Sequence, residues 1–394
     1  MTAETPVLTS LLDNDFYKFT MQHAVIKQFP TAMARYRFIN RGGHRFPDGF
    51  DQALALEIEA MKDLRLSAAE KEFLRVNCPY LTPTYLDFLS GFRYDPSEVH
   101  VSLSHGELEV SVEGYWYRTI LWEVPLLALI SELFYRLTGS QRIPDQEVVA
   151  IVRRKIQHYR DLGVKIAEFG TRRRHSFRVH QLVVGTLRDY GEGCFTGTSN
   201  VALAMAFGVK PIGTHAHEWF MFHAARFGFK MSNAQALENW VDVYRGDLGI
   251  ALSDTYTTDV FFESFDKKFS KLFDGIRHDS GDPVAFSRKA IRHYQGFHID
   301  PLSKTIIFSD GLNPGKVDRI ASFCRGRIGM SFGIGTDFTN DVGLEPMNIV
   351  MKMTEARPEG DHWVRVVKLS DEHGKYTGDP DMIALARTVL EIDS

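Results

Sequence analysis

Cysteine is scarce in this chain, and neither sign of charge dominates. Three of the 394 residues are cysteines, and no two of them form a CxxC pair, which excludes a zinc ribbon, a thioredoxin-type motif and a disulfide framework. Lys and Arg number 46 against 50 Asp and Glu, so the formal net charge is −4. This balance offers no broad positive field, and we therefore expect no nucleic-acid partner.

A long apolar run is also missing. The most apolar window, residues 119–134, is interrupted by Glu123 and Glu132 and falls short of the roughly 20 apolar residues that span a bilayer. We interpret it as a buried helix. The first six residues lack the positive charge and apolar stretch of a signal peptide. Together with the few cysteines, this predicts a cytoplasmic protein without a membrane partner.

Neither common nucleotide-binding glycine motif is complete. At residues 333–338, Phe338 occupies the third glycine position of GxGxxG, which excludes a Rossmann dinucleotide site. Residues 311–316 are one residue short of a P-loop, and Val317 stands in place of the magnesium-binding Ser or Thr. Any nucleotide must therefore bind in another way.

The pattern of elements changes near residue 140. Before it, the sequence mixes predicted helices and strands: helices at 16–28 and 67–76, a strand at 34–39 and two strands within 98–117. After a break at 139–144, an amphipathic helix is predicted at 145–162. We predict an N-terminal domain over 1–140 and a catalytic domain over 141–347. The segment 348–394, with a strand at 363–369, is expected to pack back on the first domain.

The second domain alternates short apolar runs with helical stretches. Seven such runs are candidate strands: residues 164–169, 194–197, 209–213, 249–253, 273–277, 305–309 and 328–332. Each run is followed by polar or glycine-containing residues. Because a β/α barrel places its active site at the carboxyl ends of its parallel strands, this pattern favours an α/β barrel over an open sheet.

The residues after these runs suggest an anionic substrate. Gly311 and Gly335 would let backbone N–H groups approach a phosphate, and Arg172 and Arg277 would pair with a carboxylate or phosphate. Phe169 offers a face for a flat ring. Asp282 and Asn313, each before a proline, are interpreted as helix N-caps.

Asp279 has no capping role, so it is a candidate to hold ribose hydroxyls, bind magnesium or stabilise a developing cation. Asp310 is a similar candidate.

Two histidines, His215 and His217, leave two interpretations open. Spaced i, i+2 on a strand, they would face the same way and could bind a metal, as in a barrel hydrolase. Alternatively, one imidazole acts as acid, base or nucleophile. The later strand ends carry Asp but no second His pair, so we prefer the catalytic interpretation and assign no metal ligands.

Six motifs, in this order along the chain, resemble those of the nicotinate phosphoribosyltransferase family: residues 11–21, 168–173, 213–219, 277–283, 308–313 and 332–336. The resemblance implies a type II phosphoribosyltransferase fold, an irregular seven-stranded α/β barrel beside an α/β sandwich domain. It implies the formation of nicotinate mononucleotide and pyrophosphate from nicotinate and phosphoribosyl pyrophosphate, the first step of NAD salvage from nicotinate. ATP hydrolysis would be coupled to this reaction, with Mg²⁺ present.

The resemblance also assigns roles to residues. His217 would become the phosphohistidine, and Phe169 and Arg172 would contact nicotinate. Tyr17 would stack on the pyridine from the neighbouring subunit of a homodimer. The remaining roles concern phosphoribosyl pyrophosphate: Arg277 and Asp279 would bind the ribosyl part, and Asp310, Gly311, Gly335 and Thr336 the phosphate.

One position bears on specificity. Nicotinamide-using relatives carry Asp where this chain has Ser199, and an Asp would accept hydrogen bonds from an amide but repel a carboxylate. Ser199 therefore favours nicotinate. Three rivals remain: quinolinate or nicotinamide phosphoribosyl transfer, a metal-dependent hydrolase using His215 and His217, and a non-catalytic nicotinate-binding regulator.

Overall fold

The described part of the chain is organised by two β-sheets, one antiparallel with five strands and one parallel with six. The structure, a computed structural model, describes residues 6–372 and 375–392. The antiparallel sheet has the order β12-β11-β1-β3-β2. Its strands are β1 (Met33–Asn40), β2 (Val99–Ser104), β3 (Glu107–Tyr115), β11 (Ile349–Arg357) and β12 (Val364–Arg365). The parallel sheet has the order β5-β4-β10-β9-β8-β7. Its strands are β4 (Ile166–Glu168), β5 (Phe195–Thr198), β7 (Ile250–Leu252), β8 (Gly275–His278), β9 (Thr305–Phe308) and β10 (Gly329–Ile334). A further short strand, β6 (Arg245–Leu248), is not part of either sheet order.

Helices cover both sheets. Those before the barrel are α1 (Phe16–Gln28), α2 (Phe50–Met61), α3 (Ala68–Asn77), α4 (Pro83–Gly91), α5 (Trp116–Thr119) and α6 (Glu123–Leu137). Those of the barrel are α7 (Asp145–Asp161), α8 (Phe177–Tyr190), α9 (Val201–Phe207), α10 (His217–Phe227), α11 (Phe229–Tyr244), α12 (Thr258–Ser264), α13 (Lys267–Leu272), α14 (Pro283–Gly296), α15 (Pro314–Cys324) and α16 (Thr336–Thr339), and the last helix is α17 (Pro380–Val389). Within the described ranges, we find no helix whose length and apolar character would let it cross a bilayer.

The C-terminal segment completes the antiparallel sheet. β11 pairs antiparallel with β1, from Asn40 opposite Ile349 to Met33 opposite Arg357. Residues 349–357 thus lie against a strand from the N-terminal part of the chain. The strand predicted at 363–369 is shorter than expected, because regular pairing is limited to Val364 and Arg365. The domain boundaries stay a prediction.

The parallel sheet confirms the α/β class, and six of the seven predicted runs form its strands. The remaining run, residues 209–213, is not a regular strand. It contributes one parallel bridge between Thr198 and Pro211, and the Thr214 Oγ1 hydroxyl donates to the Ile250 carbonyl at 3.2 Å. The run thereby fills the gap between the edge strands β5 and β7. Pro211 has no N–H to donate to a ladder, which accounts for the irregular closure.

Helix α1 is attached to the end of β5. The Phe16 amide donates to the Ser199 carbonyl at 2.7 Å. A buried ion pair secures the preceding turn, since Arg174 Nη1 and Nη2 donate to the two carboxylate oxygens of Asp13 at 2.6 and 2.8 Å. The approach is so close that a Cβ on Gly213 would lie 2.9 Å from the Tyr17 nitrogen. This packing places Tyr17 at the mouth of the barrel of its own chain.

Candidate active site

One cavity of about 930 Å³ opens at the carboxyl ends of the parallel strands. Ten of the eleven predicted site residues line it: Tyr17, Phe169, Arg172, His217, Arg277, Asp279, Asp310, Gly311, Gly335 and Thr336. These residues come from six separate stretches of the chain, so the fold brings the predicted strand ends together at one site. The exception is Ser199.

Two aromatic rings, Tyr17 and Phe169, and the guanidinium of Arg172 line the cavity. Phe169 follows β4, and its amide donates to the Ile334 carbonyl at 2.8 Å. Its ring packs on Gly333, where a Cβ would lie 3.2 Å from it. Arg172 lies in the 3₁₀ turn after β4, and its side chain is 40% exposed, with Nη1 3.5 Å from Glu123 Oε1. Its guanidinium can therefore still pair with an anion in the cavity.

Tyr17 lines the cavity of the chain to which it belongs, because α1 is attached to β5 of that chain. The contribution of this ring to the site of a neighbouring subunit stays a prediction, as does the homodimer.

His217 begins α10 and lies among charged groups. Its Nδ1 is 3.0 Å from Thr255 Oγ1, and its Nε2 is 3.1 Å from Asp279 Oδ2 and 2.9 Å from Lys368 Nζ. Burial, and next the neighbouring Lys368 ammonium, lowers the pKa of His217 to about 4. The imidazole is therefore neutral near pH 7 and retains a nitrogen lone pair.

Asp279 is held as a carboxylate. Its Oδ1 accepts hydrogen bonds from Arg277 Nη2 at 3.0 Å and from Ser309 Oγ at 2.5 Å. Burial alone would raise the pKa of Asp279, but Arg277, His217 and Lys368 together hold it well below its usual range. A fixed negative charge thus faces the cavity next to His217.

The same region resembles a metal site only in part. His217, Asp254 and Asp279 bring ligand atoms within 4.8 Å of one another. However, Lys368 Nζ lies 3.3 Å from Asp254 Oδ2 and 2.9 Å from His217 Nε2. An ammonium already stands where a divalent cation would sit, so these residues do not fit a resident metal ion.

The pairing of His215 with His217 as metal ligands is wrong. His215 is 1% exposed, its Nε2 accepts from the Leu252 amide at 3.2 Å, and its ring packs against Trp240. His217 instead reaches the cavity from the first turn of α10. The two residues do not continue one regular strand, so the i, i+2 rule does not apply to them.

Glycines and helix starts form another part of the cavity wall. Gly335 precedes α16, and a Cβ there would lie 3.2 Å from the Phe169 carbonyl. Gly311 has φ +49°, in the left-handed region that glycine adopts readily. The predicted caps are confirmed, because Asn313 accepts from the Lys316 amide and Asp282 from the Ala285 amide. Asp310 is not free, since its Oδ1 lies 3.3 Å from Lys375 Nζ.

Ser199 does not reach the cavity. It is fully buried, and its hydroxyl donates to Asp15 Oδ1 at 2.6 Å. Burial raises the pKa of Asp15, although Arg172 opposes the shift. The Ser199 side chain is therefore not among the residues that line the cavity, and its hydroxyl is engaged by Asp15.

Three lysines of the C-terminal segment also line the cavity and were not found from the sequence: Lys352, Lys368 and Lys375. Burial, and then repulsion by Lys368, lowers the pKa of Lys352 to about 8. No motif marks these lysines. The expected packing of residues 348–394 on the first domain was the only signal that this segment approaches the site.

The strand ends of this parallel barrel bring together two aromatic rings, arginines, a carboxylate and glycine turns. Such a site defines an α/β-barrel enzyme that acts on an anionic, phosphate-bearing substrate. Similarity to known proteins identifies the family within this class. The model of the nicotinate phosphoribosyltransferase family matches residues 164–394, and that of its N-terminal domain matches residues 12–131. The chain therefore belongs to the nicotinate phosphoribosyltransferase family.

Individual relatives agree with this assignment. A nicotinate phosphoribosyltransferase of Chromohalobacter salexigens is 66% identical over 98% of this chain and 99% of its own. One from Desulforapulum autotrophicum is 48% identical, again over 98% and 99%. The crystal structure of the enzyme from Porphyromonas gingivalis superposes with a TM-score of 0.96 at 47% identity, covering 98% of this chain and all of that one.

Proposed function

We propose that this chain joins nicotinate to phosphoribosyl pyrophosphate, forming nicotinate mononucleotide and pyrophosphate in the salvage of NAD, with ATP hydrolysis coupled to the reaction. The observation that carries the proposal is that three features meet in one cavity. They are a ring site (Tyr17, Phe169 and Arg172), a ribosyl site (Arg277 and Asp279) and the neutral His217. Membership in the family supports the same reaction. A cytoplasmic location remains our expectation.

The ring site suits a flat acid. Phe169 and Tyr17 offer aromatic faces, and Arg172 offers a planar pair of donors for a carboxylate. Ser199 adds no carboxylate of its own, and its hydroxyl donates to Asp15. We infer that nicotinate binds here with its carboxylate on Arg172 and its ring nitrogen directed toward the ribosyl site.

The ribosyl site suits a cation-like transition state. The bond between C1 of the ribose and the pyrophosphate oxygen breaks, the bond between C1 and the pyridine nitrogen forms, and positive charge develops at C1 in between. The carboxylate of Asp279 can stabilise that charge, and Arg277 orients this carboxylate through its 3.0 Å contact. Asp310, Gly311, Gly335 and Thr336 are proposed to hold the 5-phosphate.

His217 is the proposed acceptor of the γ-phosphoryl group of ATP. A neutral imidazole nitrogen can attack the γ-phosphorus, the bond from that phosphorus to the oxygen shared with the β-phosphate breaks, and ADP leaves. Lys368, 2.9 Å from Nε2, would offset the negative charge gained at the histidine. Water later cleaves the P–N bond and releases phosphate. Because Lys368 already occupies the His217–Asp254–Asp279 cluster, we derive no step through Mg²⁺ at this cluster and expect the ion to accompany the phosphate groups of the substrates.

Product analysis tests the proposal. The purified chain is incubated with nicotinate, phosphoribosyl pyrophosphate, Mg²⁺ and ATP, and each component is omitted in turn. We expect nicotinate mononucleotide only when both nicotinate and phosphoribosyl pyrophosphate are present, with much less product without ATP. Parallel reactions with nicotinamide and quinolinate check specificity, and preferred use of either would overturn the proposal.

A further inference from the structure

A fully buried ammonium lies behind the cavity wall. Lys18 is 0% exposed, and its Nζ is 2.6 Å from Glu123 Oε2 and 2.5 Å from Glu218 Oε1. The Tyr36 hydroxyl donates to Glu218 Oε2 at 2.8 Å. We call these four residues the Lys18 cluster. No step of the proposed reaction uses them, although they bury three formal charges.

Each charged member of the Lys18 cluster adjoins a residue of the proposed site. Lys18 follows Tyr17 in α1, and Glu218 follows His217 at the start of α10. Glu123 begins α6, and its second oxygen, Oε1, lies 3.5 Å from Arg172 Nη1. A single ammonium therefore connects the elements that carry the ring site and the histidine.

The charged groups of the Lys18 cluster compensate one another's buried charge. Two carboxylates face one ammonium, and the guanidinium of Arg172 supplies the second positive charge. Burial would raise the pKa of Glu123, but Lys18 and Arg172 hold it at about 2, whereas burial raises the pKa of Glu218. Since a buried charge without a partner is costly, the side chains are confined to positions where both carboxylates reach Lys18.

We propose that Lys18 is a positioning residue with two separate branches. Through Glu123 it fixes the guanidinium of Arg172 for the substrate carboxylate, and through Glu218 it fixes the first turn of α10 and thus His217 for phosphorylation. This inference rests on the proposed function. A purely structural ion cluster would instead affect stability, or both activities together.

The two branches can be separated with isosteric variants that keep the size of each side chain. Glu123→Gln removes the charge that faces Arg172, and Glu218→Gln removes the charge behind His217. Glu132→Gln is the matched control, because Glu132 lies on α6 as well, its side chain is 13% exposed against 10% for Glu123, and it accepts from the Phe177 amide outside the cavity.

Two quantities are measured on each full-length variant: the KM for nicotinate at saturating ATP, and the rate of phosphoryl uptake from γ-labelled ATP without nicotinate. We expect Glu123→Gln to raise the KM about tenfold and to leave the labelling rate within twofold. Glu218→Gln is expected to do the reverse, and Glu132→Gln to change neither. Lys18→Met is expected to impair both if it folds, and the isosteric pair decides the question if it does not.

The inference would be overturned if Glu123→Gln and Glu218→Gln each changed the KM for nicotinate and the labelling rate to the same extent. It would also be overturned if neither variant changed either quantity. Thermal unfolding of each variant shows whether a loss of stability accompanies such a result. The wild-type chain separates this failure from that of the proposed function. If the wild type takes up no label and forms no nucleotide, the proposed function fails and the inference fails with it.

Discussion

Replacing Lys368 with methionine should raise the pKa of His217. At an effective dielectric constant of about 20, two unit charges at the observed 2.9 Å between Lys368 Nζ and His217 Nε2 would interact by about 6 kcal/mol. Burial, the larger cause of the low pKa, remains in the variant, and water can enter the space left by the ammonium. Recovering about half of this repulsion, about 3 kcal/mol, corresponds to about two pKa units.

The pKa of His217 should rise rather than fall because the charges that remain around it in the variant are negative. Without the ammonium, the imidazolium would face Asp279 at 3.1 Å and Asp254 at 3.8 Å, both negative, so its protonated form is favoured. We expect the pKa of His217 to rise from about 4 to about 6. Phosphoryl uptake by the variant should consequently fall as the pH drops through 6, where the wild type still has a neutral imidazole.

The assay is an NMR titration of the histidine-labelled chain, with the His217 resonance assigned by its loss in His217→Asn. Lys375→Met is the matched control. It removes the same charge from the cavity, but Lys375 pairs with Asp310 rather than with His217. A His217 pKa that stays near 4 in Lys368→Met, or that moves equally in both variants, would refute the reasoning.

Three further variants test other parts of the site and fold. Arg172→Ala should raise the KM for nicotinate at least tenfold more than the KM for ATP, and equal effects in steady-state kinetics would make Arg172 a phosphate or structural residue. His217→Asn should abolish ATP hydrolysis and acid-labile labelling but leave slow ATP-independent transfer, whereas unchanged labelling would remove His217 from its role. Arg174→Met strands the buried carboxylate of Asp13 and should lower the free energy of unfolding by about 3–5 kcal/mol in urea titrations; a loss below 1 kcal/mol would contradict the buried pair.

Local patterns predicted the regular elements well. Helix α1 has the predicted bounds of 16 and 28, and β2 and β3 form the expected pair around residues 104–106. The residues after the barrel strands also meet in one cavity, because parallel strands end at a common edge. These features depend on interactions that are close in sequence or fixed by sheet geometry.

The features that could not be predicted from the sequence depend on contacts between residues far apart in the chain. Lys368 reaches His217 across 151 positions of sequence, and no local pattern marks a lysine that will enter a barrel. Residues 209–213 are as apolar as a strand, yet Pro211 and the approach of α1 to Gly213 prevent a regular ladder. Ser199 follows a strand like the other site residues, but its hydroxyl is taken by Asp15.

The most direct test of the central claim is a crystal structure of this chain with nicotinate mononucleotide. We predict the pyridine between Phe169 and Tyr17 of one chain, its carboxylate on Arg172, and the phosphate against Gly335 and Thr336. A nucleotide bound outside the barrel mouth, or one whose carboxylate lies away from Arg172, would contradict the account.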